Sequence, residues 1–465
     1  MLRPTHLILL SALCCSCSQQ GRIEGVPRRG LEAAPSIDVV FNHRDHARYR
    51  SPLNSEWRSG DDLEQFLIDA INSAETSVLV AVQELTLPKL AHSLIAAHHG
   101  GRQVKIVLEN TYSAAWSEQQ LTHLPPHQRQ RWLRLNALAD ANGDGTTTPE
   151  EAHAGDAIAL LKQAGVPMVD DTEDGSRGSG LMHHKFVVID EQIVVTGSAN
   201  FTSSGIHGDA GAPRTRGNVN HLIRVDSAEL AAIFRQQFDQ LWGDGPGGST
   251  NSRFGRGKDA AAAQKVAIGS TTIEVLFTPH ASRDPNHGLN WLAKQLARAR
   301  ERIDMALFVF SAQQLADVLQ DKAIEGVKIR LVADPGFASR PFSEVLDLLG
   351  VSLPDKNCNL ERNNRPFAQA LKGVGTPRLA RGDKLHHKFA VIDNKTVITG
   401  SFNWSPSAAH TNDETLLVIH SPQLAQHFTR EMDRLWDNAE LGITPHIQRK
   451  LDRQRIRCGD GVERD

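Results

Sequence analysis

Two stretches of the chain place an imidazole two residues before an ammonium group: His183 with Lys185 in HHKFVVID, and His386 with Lys388 in HHKFAVID. Each ends in a carboxylate, Asp190 or Asp393. Each is followed by a Gly-Ser-x-Asn turn that adds Ser198 and Asn200, or Ser401 and Asn403. Side chains of a strand alternate between faces, so His183 and Lys185 share one face while His184 and Phe186 take the other. His386 and Lys388 are likewise together, and His387 points away. A single histidine of this kind reads as an ordinary buried or surface group; two identical His-x-Lys pairs at matched points do not. Brought together, they supply what metal-free cleavage of a phosphodiester requires. One neutral imidazole attacks phosphorus, and the opposite imidazolium protonates the leaving oxygen and then activates water. Lys185, Lys388, Asn200 and Asn403, with Ser198 and Ser401, would neutralise and hydrogen-bond the non-bridging oxygens as charge gathers there.

The elements that must position these groups are also written twice. IDVVF from Ile37 matches IEVLF from Ile273, each reading as a buried strand. The helical pattern DLEQFLIDAINSAE leads to the apolar run SVLVAV, and GLNWLAKQLARARE leads to IDMALFVF. LAHSLIAAHHGGRQVKIVLEN aligns with LADVLQDKAIEGVKIRLVADP as helix, Gly turn and strand, and the halves close on helices ending at Trp242 and Trp436. The offset between His183 and His386 is unchanged from Lys185 to Lys388 and from Asn200 to Asn403, so nothing is inserted between motif elements. Alternating helices and strands in both halves predict an internally duplicated α/β fold, a sheet flanked by helices. The repeats span 37–242 and 269–437. The Gly-rich segment 243–268 reads as an exposed linker and 438–465 as a C-terminal tail.

With both motifs in view, the chain resembles the phospholipase D superfamily, whose signature is His-x-Lys-x4-Asp followed by Gly-Ser-x-Asn, once per half. The resemblance covers nearly all of the chain from Ile37 to Trp436. It implies a pseudo-twofold, internally duplicated α/β/α sandwich with one active site between the halves, His183 as nucleophile, His386 as general acid, and Asp190 and Asp393 as supporting members of the motif. Members of this family often carry a carboxylate beyond the turn that orients a catalytic histidine. Here TNDETLLVI supplies Glu414, whereas RGNVNHLIRV supplies Asn220, so the two histidines are expected to be unequal. The implied activity is hydrolysis of phospholipid head groups to phosphatidic acid. An endonuclease or cardiolipin hydrolase is the alternative enzyme, and a phosphate-binding scaffold the alternative without catalysis. The expected partner is a phospholipid surface, with nucleic acid as the other candidate, and the duplicated chain is expected to act as a monomer.

Repeat one also holds an insertion without a counterpart. DANGDGTTTPEE, near 139–152, places Asp140, Asn142, Asp144, Thr146, Thr148 and Glu151 at the ligand positions of an EF-hand loop, with Gly145 at position 6. Calcium is therefore expected there, with none needed for catalysis. Position 8 is Thr147 rather than an aliphatic residue, and no second hand is visible. A formal net charge of -3 provides no global basic field of the kind that drives nucleic-acid binding. Arg214, Arg216, Arg378, Arg381 and Lys384 are candidates for the pocket rim, while His43, His46, His98 and His99 read as solvated. Residues 1–18 read as a secretory signal, with lipidation at Cys17 and cleavage after Ser18 as alternatives. Export to the cell envelope or medium follows from either. Cys358 and Cys458 then remain, as a disulfide or as separate thiols.

Overall fold

The computed structural model describes residues 36–172, 180–212 and 214–459; the proposed signal segment lies outside them. The first half supplies β1 (Ile37–Phe41), β2 (Arg48–Arg50), β3 (Trp57–Ser59), β4 (Ser77–Val82), β5 (Gln103–Leu108), β6 (Met168–Asp170), β7 (Lys185–Ile189), β8 (Ile193–Gly197) and β9 (His221–Asp226). Apart from the β2–β3 ribbon these form a sheet ordered β1-β9-β8-β7-β4-β5-β6. The second half supplies β10 (Gln264–Ile268), β11 (Thr271–Thr278), β12 (Arg302–Leu307), β13 (Lys328–Ala333), β14 (Val374–Pro377), β15 (Lys388–Ile392), β16 (Thr396–Gly400), β17 (Glu414–His420) and β18 (Ala439–Leu441). Its sheet runs β10-β11-β17-β16-β15-β12-β13-β14-β18. Removing the outermost strands β10 and β18 leaves the same order as in the first half, which is the duplication in three dimensions.

The motif strands β7 and β15 are buried at every position, as KFVVI and KFAVI demand when both faces are covered. Phe186 and Val188 enter a core shared by both halves, together with Phe389, Val391 and the helices 228–242 and 422–437. Val187 and Ile189 face outward onto the helices 63–72, 88–99 and 157–163. Ala390 and Ile392 do the same in the second half, against the helices 288–296 and 313–324. The central apolar layer holds the two sheets in fixed relation, and that relation is what a site between them needs.

The segment expected to be an exposed linker is partly built into the fold. Phe254 is buried in the shared core, and 264–268 is strand β10. Lys258, also buried, pairs with Asp413 at 2.6 Å, and the Gly255 amide donates to both Asp413 oxygens. Composition concealed this, because three anchoring residues sit among glycines and alanines. Lys258→Ala would strand a buried carboxylate beside Glu414, and is expected to cost about 3–5 kcal/mol of stability in a urea or thermal melt. The tail is also structured: β18 pairs with β14, and the helix 445–458 is tied by a Cys358–Cys458 disulfide with a Cα separation of 5.5 Å.

Candidate active site

β7 and β15 begin at Lys185 and Lys388, so the histidines before them lie at the strand ends where the halves meet. Two parallel bridges form this seam, Met182 with Asp413 and Val219 with Leu385. The amides of His183 and His386 donate to the carbonyls of Asp413 and Val219, both at 3.0 Å. Each catalytic candidate is thus clamped to the opposite half, and the residue after the clamp reaches its ring. His183 Nδ1 donates to Glu414 Oε2 at 2.7 Å, and His386 Nδ1 donates to Asn220 Oδ1 at 3.0 Å. The Asn220 amide is oriented by donation from Nδ2 to the Gly205 and Asn218 carbonyls, which turns its oxygen toward His386. Both rings therefore carry hydrogen on Nδ1 and offer Nε2 to the pocket.

His184 and His387 face away, as strand alternation requires. His184 meets Thr415 and Gln237, and His387 meets Glu431 and His221. Lys185 Nζ donates to the His183 carbonyl at 2.7 Å and Lys388 Nζ to the His386 carbonyl at 2.7 Å. The carboxamide oxygens of Asn200 and Asn403 are buried without a hydrogen-bond partner. The motif glycines earn their place by proximity: a Cβ on Gly197 would lie 2.3 Å from the His221 carbonyl, and one on Gly400 2.2 Å from that of Thr415.

Two groups of predicted site residues act elsewhere. Ser198 and Ser401 do not face the pocket. Ser198 Oγ donates to Asn220 Oδ1 at 2.8 Å, and Ser401 Oγ donates to Glu414 Oε2 at 2.6 Å, so the hydroxyls hold the histidine-orienting side chains rather than phosphate. Asp190 and Asp393 lie beyond the far ends of the motif strands, about 16 Å along the chain from the lysines. Asp190 accepts the amides of Glu75, Thr76 and Ser77, and Asp393 those of Arg300, Glu301 and Arg302. They fasten the turn leading into β4 and β12, the neighbours of the motif strands.

Comparing the repeats one residue past β4 and β12 reveals two residues that motif reading missed. Val82 pairs with Lys185 and Leu307 with Lys388, so Gln83 and Phe308 occupy equivalent points. Gln83 Oε1 accepts from Asn200 Nδ2 at 3.2 Å and from Lys185 Nζ at 3.4 Å. Phe308 instead packs against the His386 ring, tilted to it with centroids 4.7 Å apart, and Lys388 Nζ lies 5.0 Å and Lys384 Nζ 5.7 Å from the Phe308 centroid. Phe337 continues the wall 4.6 Å from Phe308, with the Arg340 guanidinium 5.9 Å over its ring. The pocket has a polar wall beside His183 and an aromatic, cationic wall beside His386.

Burial dominates the electrostatics. It pushes His183 down to about 4, although Glu414 pulls it back up, and pushes His386 well below the ordinary imidazole range. It lowers Lys185 to about 7 and Lys388 well below its usual value, with Lys185 adding repulsion. The two imidazoles and two ammonium groups act on one another across the seam. Such a cluster is short of an anion, and an entering phosphodiester would supply one.

A family model described as cardiolipin synthase, PLD-like domain, matches residues 67–242 and 292–436, one copy on each half. The chain belongs to this PLD-like family. Like the phosphatidylserine synthase of Haemophilus influenzae, it has the duplicated PLD-like fold, with a TM-score of 0.54 over 92% of this chain and 94% of that one at 13% identity. A mitochondrial cardiolipin hydrolase of Chlamydomonas reinhardtii is 26% identical over 235 residues, covering 46% of this chain and 92% of that protein. A phospholipase D of Rickettsia prowazekii is 26% identical over 162 residues, 35% of this chain and 66% of that protein. The PLD-like chain is a phosphodiesterase, a hydrolase of phosphoric diesters.

Outside this PLD-like site, Arg214, Arg216 and Arg378 open on a separate cleft, while Lys384 adjoins the pocket. His43, expected to be solvated, is packed into the seam with Nε2 donating to the Gly217 carbonyl at 2.9 Å. In the loop between the helices 126–139 and 149–154, Asp140 accepts the amides of Gly143 and Gly145, Asn142 that of Asp144, and Asp144 that of Thr146. Glu151 caps Thr148. Among the described residues, no three His, Cys, Asp or Glu side chains are arranged to hold a metal. The entering helix touches the pocket wall, since Arg131 pairs with Glu84, next to Gln83, at 2.6 Å.

Proposed function

We propose that the chain is a phospholipase D acting on anionic phospholipids, cardiolipin among them, and releasing phosphatidic acid. His183 Nε2 attacks phosphorus and the bond to the leaving oxygen breaks, that oxygen taking a proton from His386. The phosphatidyl group rests on His183, whose new positive charge is offset by Glu414. Water then attacks phosphorus, giving a proton to His386, and the P–N bond breaks to regenerate His183. Asn220 stabilises imidazolium less than a carboxylate would, which suits His386 to giving its proton away.

The observation that carries the substrate choice is the wall beside His386, which faces the leaving group. Phe308 and Phe337 accept an apolar group, and Lys384 and Arg340 favour one bearing negative charge, as the phosphatidylglycerol released from cardiolipin does. They disfavour a choline cation. The relatives named for cardiolipin hydrolysis and phospholipase D agree with this reading.

Purified protein should be assayed side by side on cardiolipin, phosphatidylcholine and single- and double-stranded nucleic acid. Faster turnover of cardiolipin is expected, with Lys384→Glu reversing the preference over phosphatidylcholine by roughly tenfold. Cleavage of nucleic acid alone would sink the proposal.

We further propose that calcium binds the 140–151 loop as a structural ion. The positive φ of Gly143 and Gly145 and the amides folded onto Asp140 and Asp144 support a backbone already in loop form. Excess calcium is expected to raise the melting temperature by a few degrees, an effect lost in Glu151→Gln. An unchanged melt would exclude the site. The Cys358–Cys458 disulfide supports placing the protein in an oxidising compartment, as an exported enzyme free or held by lipid at Cys17 would be. No helix among the described residues is long and apolar enough to cross a membrane.

A further inference from the structure

A second cleft, of about 630 Å3, opens on the seam, and none of the catalytic side chains lines it. Its floor is Val219, whose carbonyl holds the His386 amide. Five arginines face it from both halves: Arg48 and Arg58 on the β2–β3 ribbon, Arg214 and Arg216 on the loop before β9, and Arg378 after β14. A sixth, Arg434, is committed to Glu431. Only two carboxylates, Glu56 and Asp383, share the lining.

Three of the five cations, Arg48, Arg214 and Arg216, are not spent within the protein. Arg58 is buried and donates to the His207 carbonyl rather than to a carboxylate. Arg378 reaches Glu440 at 3.3 Å. Arg48, Arg214 and Arg216 make no ion pair with a carboxylate among the described residues. Gathering five guanidinium groups in a chain of net charge -3 concentrates positive potential at one place, and the guanidinium fork fits phosphate oxygens. At the mouth, Trp57 is 69% exposed. An exposed indole beside arginines is the combination favoured where lipid headgroups meet acyl chains. A groove for single-stranded nucleic acid would need a succession of stacking platforms, and Trp57 is the one large aromatic in this lining.

We propose that this cleft is a non-catalytic site for the phosphate of an anionic phospholipid, seating the enzyme on a bilayer with Trp57 in the interface. Substrate is then drawn from the surface to which the enzyme is already bound. The site is separate from the catalytic pocket and requires no assumption about which lipid is cut.

The test is co-sedimentation of the full chain with phosphatidylcholine vesicles made with and without phosphatidylglycerol, beside turnover of soluble bis(4-nitrophenyl) phosphate. Wild type is expected to bind the anionic vesicles alone. Arg214→Gln and Arg216→Gln should each weaken that binding about fivefold, and Trp57→Ala should weaken it further. Turnover of the soluble diester and the melting temperature should be unchanged. Arg48→Gln, on another element, repeats the test should a loop variant lose stability. Wild-type vesicle binding in all of these variants would overturn the proposal. So would variants that lose affinity for a single-stranded oligonucleotide or for free inorganic phosphate while keeping vesicle binding. Should soluble-diester turnover fall in parallel, the cleft would belong to the catalytic machinery and the proposal would again fail. Absence of phospholipid cleavage by an enzyme that binds vesicles would count against the proposed substrate alone.

Discussion

His183→Ala is expected to remove turnover of every phosphodiester, by a factor on the order of 10^4–10^6, because in the proposed mechanism His183 forms the covalent intermediate. His386→Ala should behave differently on bis(4-nitrophenyl) phosphate. The nitrophenolate leaves without a proton, so the first step survives the loss of the acid, whereas the second lacks its base. A burst of about one nitrophenolate per enzyme should appear, with the phosphoryl group mapping by mass spectrometry to the peptide containing His183. The Glu414 carboxylate behind His183 motivates this assignment, since attack leaves that ring positively charged. Recovery of the label on His386 would reverse the two roles. Labelling of neither, with both variants active, would remove the two-histidine mechanism.

The pH dependence should be equally marked. The groups that must be cationic, Lys185, Lys388 and His386, are all pushed down by burial, with Lys185 near 7. Raising the pH therefore removes protons the free enzyme needs. kcat/KM is expected to fall from mildly acidic pH upward, by about tenfold per unit for each proton lost. His183 must be neutral and is held near 4, which places the acid limb there. Glu414→Gln should drop kcat by about 10^2–10^4, because His183 loses the carboxylate that fixes its tautomer and supports its charge. Since Glu414 raises the His183 pKa, the residual activity should show an acid limb moved lower. A profile flat through neutrality would mean that the buried lysines keep their protons and that the pocket is wetter than its geometry implies.

The repeats, the motif strands and the unequal pair Glu414 and Asn220 were legible because each is a local pattern recurring at a constant offset. Which histidine each of that pair touches was not, since both contacts cross the seam. The serines were misread for the same reason. A hydroxyl in a Gly-Ser-x-Asn turn can face either phosphate or the neighbouring strand, and here Glu414 and Asn220 take it. Asp190 and Asp393 share the motif but stand at the wrong end of a strand, a distance that spacing alone gives once the strand is placed. Phe308 and Gln83 escaped because they lie just past the apolar runs by which the repeats align. The Cys358–Cys458 bond joins the second repeat to a helix beyond it, and two isolated cysteines carry no local sign of that pairing.

The crossed partners and unequal walls have a consequence for how such an enzyme came to read its substrate. Two identical subunits around a true twofold would place the same groups behind each histidine, and a diester could enter in either sense with equal result. Joining the copies in one chain lets one half carry Gln83 where the other carries Phe308, and one histidine meet Glu414 where the other meets Asn220. In the proposed mechanism the pocket thereby acquires a direction: one end keeps the phosphoryl group and the other releases the alcohol. Covalent fusion, more than any single residue, is what allows the site to tell the two esters of one phosphate apart.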